Sequence, residues 1–428
     1  MIHPTGPRKT TYPTGSRQPS PRLRTTLAAG LLASAVVPLW AAPAAADHDA
    51  PCLVSEVPGS EQLADTHEKG NPAFERMHVE QAQELATGKG VKVAVIDSGV
   101  WSVDGLDRVG LAAVAGAAPN ELLSGHGTIV AGLIAGPHGV APDARVYDVK
   151  VYDADDADTT QGQKALSSAG IVAGIQAVID AYPRERFDVV NISLAVRSSD
   201  PALEAAVAKL VDLPLVVVAA AGNREEDQGD DFEGTPGSDA DVFPADYPGV
   251  LAVSATPPGN DDPSQSVVPN MDTDVAAPTV GAISANATGQ VCVVGEVATS
   301  WAAAEVSGLV ALLKQRFPRD SPEQLVARLQ ATTEGAGAPT GPDGEVENPW
   351  TGAGVVQAHD ALTRQLKAGR KGKVETTEAE VRSDAQAPPA PEQVDLFGTP
   401  RAILLWSGLV AGSLLALAFM LRPLLRRS

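Results

Sequence analysis

Four polar residues stand at points where an apolar run ends or a helical pattern begins: Asp97, His126, Asn223 and Ser300. Ser300 lies at a helix start, where backbone N–H groups and the helix dipole favour a developing negative charge. The amide of Asn223 follows an apolar run and could donate a hydrogen bond to an oxyanion. Taken singly, Asp97 also fits a turn or cap, Asn223 a turn and Ser300 a cap. His126 alone is ambiguous, so the chemistry depends on a fold that brings the four together.

The elements that must position these residues follow from hydrophobic patterning. Continuous apolar runs without alternation are typical of strands buried on both faces of a parallel sheet. Five such runs predict strands at Val91–Ile96, Val146–Val151, Val189–Leu194, Leu213–Ala220 and Val250–Ser254. Helical patterns occur at Thr128–Ala135, Ser167–Tyr182, Pro201–Val211, Trp301–Phe317 and Ser321–Thr332. This alternation predicts an α/β fold whose functional groups lie beyond the carboxyl ends of the strands.

The motifs around the four residues occur in the chain order Asp, His, Asn, Ser. They are VAVIDSG at 93–99, SGHGTIVAG at 124–132, VVVAAAGN at 216–223 and ATSWAAAEVSG at 298–308. This set resembles the subtilisin-like serine proteases over most of Val91–Leu362, which implies a three-layer fold with a mainly parallel central sheet. The resemblance makes Ser300 the nucleophile, His126 the general base and acid, Asp97 its orienting carboxylate and Asn223 an oxyanion donor.

The same resemblance implies the walls of a substrate pocket. The four pocket residues that it gives are Ser193, Leu194, Ala220 and Gly222. No charged side chain stands among them, so substrates with small or medium uncharged side chains before the scissile bond are expected.

Three residues near the nucleophile complicate this interpretation. Ala298 replaces the usual glycine two residues before Ser300, which is tolerable only if the backbone there avoids positive φ. Ala304 replaces the usual proline of the following helix. Trp301 either packs this helix or contacts substrate. An inactive protease-fold scaffold therefore stays open as an alternative to an active endopeptidase.

Composition limits the partners of the chain. Its 428 residues carry a formal net charge of −21, whereas phosphate contacts need clustered Lys and Arg, so we expect no nucleic-acid partner. Two distant cysteines cannot build a cysteine zinc site, and we expect neither metal nor cofactor. The acidic stretches Glu225–Asp246 and Asp153–Asp158 are interpreted as solvated surface, because their spacing matches no regular calcium loop. Cation binding or a preference for basic substrates stays open for the first stretch.

Both ends of the chain carry membrane signals. Residues 1–46 contain a basic leader, an apolar stretch and small residues, which predicts a signal peptide. Residues 402–421 hold no charge and are followed by arginines, which predicts a transmembrane helix with a cytoplasmic tail at 422–428 and an extracytoplasmic body. Between the signals we expect an N-terminal extension (47–90), a peptidase domain (91–365) and a Pro-rich linker (366–401).

The two cysteines, Cys52 and Cys292, would then both lie on the oxidising side of the membrane. An even pair in an exported domain predicts one disulfide, which fastens the extension to the body near the nucleophile motif.

The layout of the chain as a whole resembles the mycosins, which are membrane-anchored subtilisin relatives associated with type VII secretion. This narrower resemblance implies three kinds of partner: protein or peptide substrates, the cytoplasmic membrane and membrane components of type VII secretion.

Overall fold

The structure is a computed structural model, and it describes residues 50–59, 70–113, 121–224, 239–259, 261–334, 348–366, 368–369, 372 and 398–425. The predicted signal peptide therefore lies outside the described residues, as do residues 426–428 of the predicted cytoplasmic tail. The same holds for most of the predicted linker and for residues 225–238 of the acidic stretch.

A seven-stranded parallel sheet forms the centre of the body, in the order β2-β3-β1-β4-β5-β6-β7. Its strands are β1 (Lys92–Asp97), β2 (Arg108–Ala113), β3 (Arg145–Lys150), β4 (Val189–Ile192), β5 (Val216–Ala220), β6 (Val250–Thr256) and β7 (Val275–Pro278). The five predicted strands are confirmed. The sequence did not predict the edge strands β2 and β7 or the antiparallel hairpin β8 (Ile283–Ala285) and β9 (Val291–Val293). These segments are short, Ala-rich or of mixed polarity, so they give no buried-strand pattern.

Helices cover both faces of the sheet. The helices of the body are α1 (Pro72–Met77), α2 (Val79–Gln83), α3 (His126–Ile134), α4 (Ser168–Glu185), α5 (Pro201–Val211), α6 (Thr299–Arg316), α7 (Pro322–Ala331) and α8 (Ala358–Thr363), and a separate C-terminal helix, α9 (Gly398–Leu425), follows. All five predicted helices are present. The expected cap of α7 is also present, because Ser321 and Gln324 form a reciprocal capping box and Pro322 begins the helix.

The sheet divides the core into two layers, because successive strand residues point to opposite faces. In β1, Val93 and Val95 pack with α3 and α6, whereas Ala94 and Ile96 pack with α4 and α5. The expected three-layer α/β fold is confirmed. The first layer is the one that carries the motifs of His126 and Ser300.

Helix α6 is buried on every side along most of its length. All residues from Thr299 to Leu313 are buried, as expected for a helix that is apolar all round and packs in the middle of a domain. The one acidic residue of this stretch is Glu305, whose two carboxyl oxygens are buried without a hydrogen-bond partner. Burial raises the pKa of Glu305 well above its ordinary value of 4.5, so folding favours the neutral form of this carboxyl.

The C-terminal helix α9 has the length and composition of a membrane span. Its segment Ile403–Arg422 has 20 residues, a mean hydropathy of 2.1 and no buried residue in its apolar stretch. Large apolar side chains such as Leu404, Trp406 and Phe419 are exposed along it. Among the described residues, this is the one helix that is long and apolar enough to cross a bilayer. It coincides with the predicted transmembrane segment.

Replacing Glu305 by Gln should stabilise the protein increasingly as pH rises. The unfolded chain releases the Glu305 proton above its ordinary pKa and the folded chain does not, so the parent protein loses about 1.4 kcal/mol per pH unit until the folded pKa is reached. Denaturant unfolding of parent and variant at about pH 5, 6 and 7 measures this slope. A change in packing alone would shift the stability by the same amount at each pH, and such a constant difference would contradict the prediction.

Candidate active site

Asp97 and His126 meet at the carboxyl end of the sheet. Asp97 is the last residue of β1 and His126 is the first residue of α3. The His126 Nδ1 atom lies 2.8 Å from Asp97 Oδ1, and the Asp97 side chain is completely buried while that of His126 is 13% exposed. Asp97 Oδ1 also accepts a 2.7 Å hydrogen bond from the Ser98 N–H. Because the carboxylate holds Nδ1, the imidazole can exchange a proton through Nε2.

Gly127 makes this close approach possible. A Cβ atom at this position would lie 2.5 Å from the Gly99 carbonyl oxygen and 3.0 Å from Asp97 Oδ1. The Gly127 N–H instead donates a 3.0 Å hydrogen bond to Ser98 Oγ, which ties the start of α3 to the end of β1. Gly127, the second glycine of the SGHGT motif, is therefore required for the motifs of His126 and Asp97 to pack together.

The electrostatic surroundings of His126 favour its protonated form. Burial of the imidazole is the largest single effect and disfavours the charge, but the attraction and hydrogen bond of Asp97, together with nearby carboxylates, raise the pKa of His126 above its ordinary value of 6.5. Asp155 and Glu296 act in the same direction. An imidazole in this setting is a stronger base than a free one, which suits the transfer of a proton from a hydroxyl group.

Ser300 lies in the first turn of α6 at the same edge of the sheet. Its backbone carbonyl accepts a 2.7 Å hydrogen bond from Ser193 Oγ, just beyond β4, and the residue is 6% exposed. Ala298 caps the helix with φ −144° and ψ 138°. This is extended backbone that any L-residue adopts, so the absence of the usual glycine causes no strain here.

The amide of Asn223 has a fixed orientation. Its Oδ1 atom accepts hydrogen bonds from the Thr299 N–H at 2.7 Å and from Thr299 Oγ1 at 3.0 Å. The Gly222 N–H donates to the same Thr299 hydroxyl at 3.2 Å. With the carbonyl end of the amide held by Thr299, the NH₂ group is the end that can donate to a substrate oxygen beside Ser300.

The four predicted pocket residues lie at or just beyond the ends of two neighbouring strands. Strands β4 and β5 pair in register, with Ile192 opposite Ala219, so the residues that continue them lie side by side beyond the sheet. Ser193, Leu194 and Ala220 are all buried there. Ser193 has a further task that the sequence did not indicate, because its hydroxyl bonds the backbone of the predicted nucleophile.

The sequence did not indicate three side-chain contacts in and around the site. Thr299 orients Asn223, Glu296 accepts a hydrogen bond from the Trp301 indole, and Asp153 forms a buried ion pair with Lys150 at 2.8 Å. The interpretation of Asp153 as a solvated surface residue is therefore wrong, because a buried charge needs a partner and Lys150 supplies it. The sequence signal for this pair is that Lys150 stands three residues before Asp153. Nothing in the spacing of Glu296 and Trp301 indicates their contact.

The expected disulfide between Cys52 and Cys292 is present, and it anchors residues 50–59, which we call the N-terminal strap. The Cys52 N–H donates to the Val293 carbonyl at 2.9 Å, so the strap pairs with strand β9. Beyond the bridge, the Val54 carbonyl accepts a 2.6 Å hydrogen bond from the Gly125 N–H. The strap therefore lies directly against the residue that precedes His126.

A buried polar contact holds the far side of the strap. Glu56 accepts a hydrogen bond from Asn286 Nδ2, and both residues are buried. A Cβ atom on Gly125 would lie 2.6 Å from the Glu56 carbonyl oxygen, so the strap and the His126 turn are in tight contact.

No metal site accompanies this arrangement within the described part of the chain, where no group of three or more His, Cys, Asp or Glu side chains is placed to hold an ion.

The fold and these motifs define a known class of protein. The subtilase family (Peptidase_S8) matches residues 88–358, which is more than half of the chain. The protein belongs to this family.

Subtilisin NAT of Bacillus subtilis subsp. natto is 37% identical over 256 residues, which make up 58% of this chain and 61% of that protein. Minor extracellular protease Epr of Bacillus subtilis (strain 168) is 33% identical over 270 residues, or 61% of this chain and 38% of Epr. The chain thus spans less than two thirds of either relative.

Solved structures narrow the resemblance to the mycosins. MycP1 from Mycobacterium smegmatis is 28% identical with a TM-score of 0.58, and the match covers 76% of this chain and 91% of that one. The MycP3 protease from the type VII (ESX-3) secretion system is 27% identical with a TM-score of 0.57, covering 74% and 93%. The expected similarity to subtilisin-like serine proteases and to mycosins is confirmed.

Replacing both Cys52 and Cys292 by Ser should destabilise the body and loosen the His126 turn. The bridge closes a loop between residues separated by 240 positions, so its loss should lower the free energy of unfolding by up to about 5 kcal/mol. Thermal unfolding of the parent, with and without reductant, and of the variant measures this effect. Reductant should lower the melting temperature of the parent and leave the variant unchanged. Equal melting temperatures for the oxidised parent and the variant would contradict a stabilising role of the bridge.

Proposed function

We propose that this protein is a membrane-anchored serine endopeptidase that hydrolyses peptide bonds through an acyl-enzyme on Ser300. The observation that carries the proposal is the 2.8 Å contact between His126 and the buried Asp97, made at the edge of the sheet where the Ser300 and Asn223 motifs also lie. Membership of the subtilase family supports it.

The proposed reaction begins when Ser300 Oγ attacks the substrate carbonyl carbon and His126 Nε2 accepts the serine proton. Asp97 stabilises the imidazolium that forms, and the Asn223 NH₂ group donates to the oxyanion of the tetrahedral intermediate. His126 then gives the proton to the leaving amine. A water molecule hydrolyses the acyl-enzyme by the same steps, with His126 again as base.

The proposed pocket for the side chain before the scissile bond is formed by Ser193, Leu194, Ala220 and Gly222. Leu194 and Ala220 supply apolar surface, and Ser193 is engaged with the Ser300 backbone. A pocket of this composition offers no ion pair to a charged side chain, so it favours small or medium uncharged residues.

The proposed site of action is the outer side of the cytoplasmic membrane, as part of a type VII secretion assembly. The apolar segment Ile403–Arg422 supports an anchor, and the positive residues that follow it favour a cytoplasmic tail. Similarity to MycP1 and MycP3, which are proteases of ESX secretion systems, supports the association. The proposed partners are thus peptide or protein substrates, the membrane and secretion components within it.

Single replacement of Ser300, His126 or Asp97 by Ala should reduce peptide turnover by several powers of ten, because the three act as a unit. Asn223→Ala should cost about 10² to 10³ in kcat, since it removes one oxyanion donor and leaves the triad intact. Steady-state hydrolysis of a fluorogenic peptide by the full chain in detergent measures both effects. His359→Ala, which removes a partly exposed imidazole on α8, is the matched control and should keep full activity. Full activity of Ser300→Ala would end the proposal.

The anchor and the catalytic serine should have separable effects on secretion. Deleting residues 402–421 removes the restraint that keeps the body near its membrane partners, so export of type VII substrates should stop. Ser300→Ala should retain at least part of that export if the protein also has a scaffold role. Substrate levels in the culture medium of complemented cells measure this. Full export by the anchorless protein would contradict the anchored role, and equal loss in both variants would assign the whole function to catalysis.

A further inference from the structure

The indole of Trp301 lies on the imidazole of His126. The two ring centroids are 4.7 Å apart and the ring planes are inclined by 32°. Trp301 directly follows Ser300 in α6 and is 2% exposed, so it is fixed in the core and has no surface available to substrate. The sequence left two roles open for Trp301, which were packing and substrate contact. The structure supports packing, and the side chain against which the indole packs is His126.

A carboxylate holds the indole in this position. Trp301 Nε1 donates a 3.0 Å hydrogen bond to Glu296 Oε1. The backbone of Glu296 is itself fixed, because its carbonyl accepts a 2.7 Å hydrogen bond from the buried Thr279 hydroxyl just beyond β7. The indole is thus connected through Glu296 to the rigid end of the central sheet.

His126 is therefore held on two sides by different interactions. Asp97 binds the Nδ1 edge of the ring, whereas Trp301 covers one face. The face of an indole attracts a cation, and a neutral imidazole gains less from the same contact. The contact should therefore restrict rotation of the ring and favour the imidazolium form.

We propose that Trp301, oriented by Glu296, is a positioning residue for the general base: it keeps the His126 ring aligned between Asp97 and Ser300 and stabilises the imidazolium that arises when Ser300 gives up its proton. The catalytic part of this inference rests on the proposed peptidase function, whereas the contact between the rings does not.

Three acidic groups also raise the pKa of His126, so a test must distinguish their effects from the effect of the ring contact. Asp97 faces His126 from β1, Asp155 from the segment after β3, and Glu296 from the segment before α6, and all three favour the charged imidazole. Trp301→Phe leaves these charges in place and keeps an aromatic face but removes the N–H that Glu296 binds. Trp301→Ala removes the face as well. Glu296→Gln keeps a hydrogen-bond acceptor and removes only the charge.

The test measures the His126 pKa in the full chain in detergent, labelled with ¹³C-histidine, on a Ser300→Ala background that prevents self-cleavage. His126→Gln assigns the resonance. Trp301→Ala should lower the His126 pKa by about half a unit, and Trp301→Phe should restore much of that loss. Glu296→Gln should lower it through loss of charge while keeping the ring-current shift on His126. Trp350→Phe, a partly buried tryptophan elsewhere, is the matched control and should change nothing.

Peptide kinetics with Ser300 intact supply the second readout. Trp301→Ala should reduce kcat by about 10- to 100-fold with little change in KM, move the acid limb of kcat/KM to lower pH, and be largely rescued by Trp301→Phe. An unchanged His126 pKa and kcat in Trp301→Ala would overturn the proposal. If this variant does not fold, Trp301→Leu, which fills the space without an aromatic face, takes its place, and an unchanged His126 pKa and kcat in Trp301→Leu would overturn the proposal. Absence of peptidase activity in the parent would end the proposed function, and the titration would still decide the ring contact.

Discussion

The burial of helix α6 is the constraint on which the arrangement of the site depends. A helix with no exposed face along Thr299–Leu313 can be accommodated only between the sheet and the surrounding helices. Polar contacts fix its position along the sheet: Asn191 Nδ2 donates to Ser307 Oγ at 3.0 Å, and Ser193 Oγ donates to the Ser300 carbonyl at 2.7 Å. The start of α6 is thereby held at the carboxyl ends of β4 and β5.

The same edge of the sheet receives the other half of the site. Asp97 ends β1, which pairs with β4, and α3 begins at His126 and packs in the same layer as α6. The proposed base and nucleophile thus come from two helices that share one layer of the core. The N-terminal strap adds an outer restraint, since its Val54 carbonyl binds the Gly125 N–H beside His126.

Most of this arrangement could be predicted from the sequence because the information is local. Buried parallel strands leave continuous apolar runs, and the four motifs around Asp97, His126, Asn223 and Ser300 are short and occur in a characteristic order. The edge strands β2 and β7 could not be predicted in this way, since they are short and carry no such run. The contact of Trp301 with His126 also has no local signal, because it joins residues far apart in the chain that only the packing of α3 on α6 brings together.

The proposed peptidase function requires that Ser300 is a nucleophile activated by His126 and Asp97. Treating the purified full chain with a serine-directed phosphonate and locating the adduct by mass spectrometry tests this most directly, because the reaction needs an activated hydroxyl and no knowledge of the natural substrate. We expect a single covalent adduct on Ser300 that forms much more slowly in His126→Ala. A folded protein that gives no adduct on Ser300, or that reacts equally fast without His126, would contradict it.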